Sequence, residues 1–148
     1  MAIFSKILVP VDGSPPSDGA LKLALALAKD QGATLTAVHV VETNRIVATM
    51  GTGSYGVDPT PVIKALRSAG ESILSVAQER AQAESVPATG ELLEGDSVTL
   101  ILDRCKSAGS ELIVMGSHGR SGIARMLFGS VAEGVLRQST VPVLVVRG

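Results

Sequence analysis

Five short aliphatic runs recur along the chain, and each is separated from the next by a stretch with helical spacing. The runs fall at residues 3–11, 34–41, 89–93, 111–115 and 141–146, and three of them carry almost no polar residue. A strand that is apolar on both faces must be covered on both faces, so the pattern demands a parallel sheet between helices. The helical stretches have the matching 3.6-residue period. Leu21, Ala24, Leu25 and Ala28 share one face of a helix over residues 20–29, and Pro15 and Pro16 can stand only near its start, with Ser14 or Ser17 as its cap. Val62, Leu66, Ala69, Ile73 and Ala77 do the same for residues 60–84. Asp96 caps a third helix carrying Val98, Ile101, Leu102 and Cys105, and Gly109 ends it. Ser130 and Glu133 spell the S-x-x-E capping box that opens a fourth, over residues 130–138. The expectation is an α/β fold of five strands and four helices in one domain. Residues 42–59 are long for a loop in such a domain, and are expected to be functional or to move.

A chain of 148 residues with 45% apolar content can fill one core. Its aromatics are Phe4, Tyr55 and Phe128 alone, which leaves no stacking platform for single-stranded nucleic acid. Thirteen basic residues against fourteen acidic ones, scattered along the chain, give a net charge of −1 and no basic stripe to neutralise phosphates. Nucleic acid is therefore not an expected partner. No apolar run approaches the length of a membrane span, no leader pattern opens the chain, and Cys105 has no second cysteine to pair with. A cytoplasmic location is expected.

In an open α/β sheet the ligand site lies beyond the carboxyl ends of the strands, where strand order reverses. Two segments qualify. The first is Pro10-Val11-Asp12-Gly13-Ser14; the second runs from Met115-Gly116-Ser117-His118-Gly119-Arg120 to Gly129-Ser130-Val131. Glycines in the second let the backbone approach a ligand and turn its amides inward, and Gly129-Ser130 delivers a helix N-terminus, which suits an anion. Arg120 and Arg125 lie between these anchors and can reach outer phosphates. The competing reading is that the glycines only make turns.

The spacing Gly116-x2-Gly119-x9-Gly129-Ser130 resembles the nucleotide-binding motif of the universal stress protein family. The run Ile113 to Arg120, the closing run Val141-Pro142-Val143-Leu144-Val145-Val146, the opening Lys6 to Ser14 and the pair His39-Val40 are similar to that family as well. The resemblance covers the whole chain, residues 1–148, as one universal stress protein domain, with departures confined to residues 43–60. It implies a Rossmann-like sheet in the order 3-2-1-4-5, and the branch of the family that binds ATP, or ADP or AMP. By the same resemblance the backbone of Val40 meets the adenine edge, with Pro10 and Val11 beside base and ribose. Asp12 lies by the ribose or by a phosphate-bound Mg²⁺ or Mn²⁺; Met115 and Gly116 line the ribose; Gly119, Gly129, Ser130 and Val131 hold the phosphates. Ser117, His118 and Arg120 belong to the same loop. The resemblance further implies a homodimer through the last strand.

Other signals carry less. Gly51-Thr52-Gly53-Ser54-Tyr55-Gly56 spells G-x-G-x-x-G, but it follows a polar stretch and no helix can open at Val57-Asp58-Pro59. No P-loop and no G-x-S-x-G elbow occurs. His39 reads as a structural histidine with its hydrogen bond satisfied. His118 has no carboxylate neighbour in sequence, and orientation of the loop competes with catalysis for its role. Cys105 reads as core. Three functions follow: a nucleotide-dependent stress-response regulator with little or no turnover; a slow ATPase or self-phosphorylating protein with Ser117, Ser121 or Ser130 as acceptor; or a dimeric adaptor that no longer binds nucleotide.

Overall fold

Strand β1 (Lys6–Pro10) lies at the centre of a five-stranded sheet and is followed by helix α1 (Pro15–Gln31). The computed structural model describes residues 2–50, 56–118 and 128–147. After α1 come β2 (Thr34–Val41), α2 (Thr43–Met50), α3 (Thr60–Ala83), β3 (Ala88–Glu94), α4 (Ser97–Ala108), β4 (Leu112–Gly116), α5 (Ser130–Gln138) and β5 (Val143–Val146). Every strand pair is parallel and the order is β3-β2-β1-β4-β5, as the resemblance implied. The order reverses at β1, which pairs with β2 on one side and β4 on the other. The carboxyl ends of β1 and β4 thus form the crevice expected of such folds.

Two apolar layers flank the sheet. Leu21, Leu25 and Leu74 of α1 and α3 pack on Ile7, Val9 and Val114. Ile101, Cys105 and Val135 of α4 and α5 pack on Leu8, Val38 and Ile113 from the other side. Cys105 is buried there as a small apolar residue, and burial pushes its thiol above the ordinary value.

Local chemistry explains where the helices begin and end, and in several places the structure departs from the sequence expectation. Helix α1 starts at Pro15, five residues earlier than its apolar stripe suggests. Its two prolines occupy the first turn, where no N–H is needed, and Ser14 Oγ accepts from Ser17 N–H at 3.4 Å. There are five helices among the described residues, not four: α2 fills half of the segment read as a long loop, and it buries none of its residues. On α3, Val62 and Leu66 remain 38% exposed, while Gly70, Leu74, Ala77 and Ala81 are the buried set. Of the face expected to pack on the sheet only Ala77 is in that set; Leu66, Ala69 and Ile73 line the crevice instead, and Val62 lies exposed outside it.

The cap of α5 also differs. Gly129, not Ser130, is the N-cap, with extended backbone angles (φ −70°, ψ 166°) and no side-chain cap bond. The carboxylate of Glu133 pairs with Arg137 one turn on, at 2.7 Å, so the S-x-x-E pattern is not a capping box here. Gly129 carries the cap because its own N–H is already bonded to Ser117 O at 2.6 Å. Strand β5 begins at Val143, two residues later than expected, since Ser139 Oγ turns the chain at Val141 and Pro142 has no N–H for the ladder.

Asp96 is a conventional cap: its carboxylate accepts from Thr99 N–H at 3.0 Å and from Thr99 Oγ–H at 2.8 Å. Those bonds, the backbone one first, hold its pKa below the ordinary carboxyl value. A depressed pKa stabilises the fold above the unfolded value of about 3.9, and the contribution disappears as pH falls through the lower folded value. Asp96→Ala should cost about 1 kcal/mol at neutral pH. In urea titrations the gap from the unsubstituted protein should narrow below the ordinary carboxyl range.

Candidate functional site

The strands that end at the crevice part in a defined way. The last β1–β2 rung is Val11 N–H to Val38 O at 2.8 Å, after which β1 turns away through Asp12 and Gly13, the latter at φ 79°. That turn is tied locally. Asp12 N–H donates to Ser17 Oγ at 3.0 Å, and Asp12 Oδ1 accepts from Ser14 N–H at 2.9 Å and from its hydroxyl at 2.5 Å. One oxygen of Asp12 is therefore committed to the turn. Residues of a parallel strand alternate the side to which they offer N–H and C=O. Val38 faces β1, and so does Val40, two residues beyond, where β1 has left. The Val40 N–H and C=O consequently point at the crevice, without a strand partner on that side.

The opposite wall comes from β4 and α5. Ser117 continues β4, donating its N–H to Val146 O at 2.8 Å and accepting from Gly129 N–H. These two bonds set the first turn of α5 over the end of β4. Within a helix the first intrahelical donor here is Glu133 N–H, to Gly129 O at 3.0 Å. The amides of Ser130, Val131 and Ala132 precede it and have no intrahelical acceptor. No side chain among the described residues caps them. They carry the positive end of the helix dipole into the crevice.

Together these ends enclose a cleft of about 540 Å³, a size ordinary for a small-molecule site. Pro10, Val11 and Asp12 line it from β1, Val40 from β2, and Met115, Gly116, Ser117 and His118 from β4. Gly129, Ser130 and Val131 line it from α5. The cleft thus brings together the described residues that the resemblance placed in the site, while Gly13 and Ser14 of the opening segment do not line it. Gly119 and Arg120, like Arg125 and Ser121, lie outside the described residues, as do residues 51–55 of the G-x-G-x-x-G stretch. Val38, Ile101 and Ala132 make an apolar floor, and Leu66, Ala69 and Ile73 of α3, expected on the sheet, form a side.

Several lining residues were not anticipated. Glu42 sits at the β2–α2 junction and takes a 2.8 Å hydrogen bond from Ser97 Oγ–H of α4. Arg45 and Ile46, from the first turn of α2, also reach the cleft. No sequence signal marked them, since α2 itself was not foreseen. Ala132 was legible in principle, because a helix N-terminus offers its third amide as well as the first two. His118 Nδ1 lies 3.1 Å from Ser117 Oγ, and its Nε2 is buried with no partner among the described residues. No group of three or more His, Cys, Asp or Glu side chains among the described residues is arranged to hold a metal ion.

A sequence model described as the universal stress protein family matches residues 4–147. The chain belongs to the universal stress protein family. The universal stress protein YxiE of Bacillus subtilis is 39% identical over 149 residues, covering 98% of this chain and 100% of its own length. A solved member of the family from Burkholderia pseudomallei is 34% identical with a TM-score of 0.76, over 99% of this chain and 98% of its own. A further universal stress protein, solved in complex with cAMP, is 25% identical with a TM-score of 0.69, over 97% of each chain. Among the described residues no helix is long and apolar enough to cross a membrane.

One residue of this universal stress protein has a structural reason that the sequence did not suggest. A Cβ on Gly116 would lie 2.7 Å from the carbonyl carbon of Pro16 and 2.8 Å from Ser17 N, both backbone atoms of α1. The glycine is therefore needed for packing against α1 whether or not a ribose lies beside it. Gly116→Ala should destabilise the ligand-free protein by about 1–3 kcal/mol through overpacking. Denaturant melts without nucleotide measure this; an unchanged midpoint would mean that α1 moves aside freely.

Proposed function

We propose that this chain binds an adenine nucleotide, ATP before ADP or AMP, in the cleft between β1, β2, β4 and α5, and works as a nucleotide-dependent stress-response regulator with little or no turnover. The observation that carries this reading is the pairing of two ends in one cleft. One end offers an unpaired backbone donor and acceptor at Val40 over an apolar floor. The other offers the first turn of α5, which no side chain among the described residues caps. A base with adjacent acceptor and donor on its edge suits the first, and an anion suits the second. The cAMP complex of a relative supports a ligand that carries both an adenine and a phosphate. Guanine presents the reverse donor and acceptor order, so it would leave Val40 unpaired at a cost of about 1–3 kcal/mol per buried group.

Mg²⁺ or Mn²⁺ would arrive with the phosphates. The second oxygen of Asp12 is free of the turn and would supply the chain's share, with water and phosphate completing an ion that keeps much of its hydration. The slow-ATPase or self-phosphorylation reading is less supported. Ser117 is 2% exposed and its hydroxyl is already engaged with His118, which makes it a poor acceptor. A homodimer through β5 belongs to the proposal too: β5 is a sheet edge, and Leu144 on it is 38% exposed. Light scattering that finds a monomer contradicts that part. The setting proposed is the cytoplasm, with no nucleic-acid partner.

Gly129→Val tests the phosphate end. The backbone angles of Gly129 suit any L-residue, so the variant should fold, while its side chain would crowd the space in front of the Ser130 and Val131 amides. Thermal melts should show a clear ATP-induced rise for the unsubstituted protein and almost none for Gly129→Val. Adenosine, without phosphates, should lose less. A folded Gly129→Val with the full ATP shift would overturn the placement.

A further inference from the structure

We propose that His39 is a positioning residue: its ring draws the carbonyl of Val11 out of the β1–β2 ladder and so keeps the Val40 N–H free for a ligand. The nature of that ligand rests on the adenine-nucleotide reading above; the displaced rung does not. A regular parallel ladder that ends on Val11 N–H to Val38 O has an obvious next bond, from Val40 N–H to Val11 O. That rung is not made. The Val11 carbonyl instead lies 2.7 Å from His39 Nδ1. A carbonyl oxygen only accepts, so the ring donates from Nδ1 and its tautomer is set.

The position of the ring explains why the rung is lost. Side chains alternate along β2, and His39 projects to the face covered by α3, opposite Val38 and Val40. The acceptor that the Val40 N–H would use is bonded to that ring instead. Helix α3 provides the space for this. A Cβ on Gly70 would lie 2.5 Å from His39 Cδ2 and 2.7 Å from Leu92 Cδ1, so only glycine leaves room for the ring where it stands. Gly70 is buried in the middle of a 24-residue helix, a position where glycine costs stability unless packing requires it. Val40 is half-buried and lines the cleft, so its N–H without the ladder partner faces the ligand space. The His39–Gly70 pair accounts for how this one is kept open.

A matched pair of variants separates the hydrogen bond from the shape. His39→Asn keeps an N–H donor at the place of Nδ1, and His39→Leu puts a methyl there. The readout is hydrogen exchange of the Val40 amide in nucleotide-free protein, followed by ATP titration. The Val40 amide should exchange much faster than that of Val38 in the unsubstituted protein and in His39→Asn. In His39→Leu the rung should form and slow its exchange by roughly 10- to 100-fold. ATP affinity should fall about tenfold in His39→Leu and little in His39→Asn. A Val40 amide already as protected as Val38 in the unsubstituted protein overturns the proposal, and so does equal exchange in the two variants. If His39→Leu fails to fold, the unsubstituted protein and His39→Asn still decide it by the first comparison. Absence of ATP binding by the unsubstituted protein would remove the nucleotide reading, and the exchange data would still judge the ladder.

Discussion

Two backbone hydrogen bonds at Ser117 place the parts of this molecule that matter. Its N–H extends the β4–β5 ladder by one rung to Val146, and its C=O takes the N–H of Gly129 from across the intervening segment. The second bond fixes where α5 starts. Because Gly129 spends its N–H on Ser117, it becomes the last extended residue, and the helix behind it presents three amides to the cleft with no side chain among the described residues to satisfy them. Remove either bond and the positive end of α5 loses its registration to the end of β4. The same rung ties the cleft to the sheet edge: β5 ends at the strand position that Ser117 reads, and Val146 also packs 3.3 Å from where a Cβ on Gly19 of α1 would be.

The other end of the cleft depends on an omission. β1 pairs with β2 up to Val11 and then departs through a turn held by Asp12, Ser14 and Ser17. Val40 is left with its polar groups facing a space that a longer β1 would have filled. An amphipathic cleft follows directly: backbone dipoles at two ends, aliphatic side chains between them, and no dedicated cluster of carboxylates among the described residues.

Much of this was legible from residue order. Near-continuous aliphatic strands and helical spacing dictate a parallel sheet with covered faces, and turn residues such as Gly109 and Asp96 mark real ends. The strand order came from resemblance, since alternation alone permits several. What escaped reading has physical causes. Helix α2 is only eight residues long and buries none of them, and Glu42, Arg45 and Ile46 were missed with it. The face read on α3 shares only Ala77 with the buried set, because a period of apolar residues cannot tell a sheet from a cleft as the surface it faces. The S-x-x-E pattern at Ser130 misled because the cap was decided by a bond to Ser117, thirteen residues away in sequence and adjacent in space. The reason for Gly116 likewise lies across the fold, in α1.

The central claim is that one ligand spans both ends, with a base at Val40 and phosphates at α5. Backbone amide shifts of ¹⁵N-labelled protein during titration with ATP and Mg²⁺ test it most directly. The account predicts that the amides of Val40, Ser130, Val131 and Ala132 shift together and saturate at the same nucleotide concentration, while remote amides such as Ser85 stay in place. Saturating ATP that moves Val40 but leaves the first turn of α5 undisturbed, or that moves neither, would contradict it.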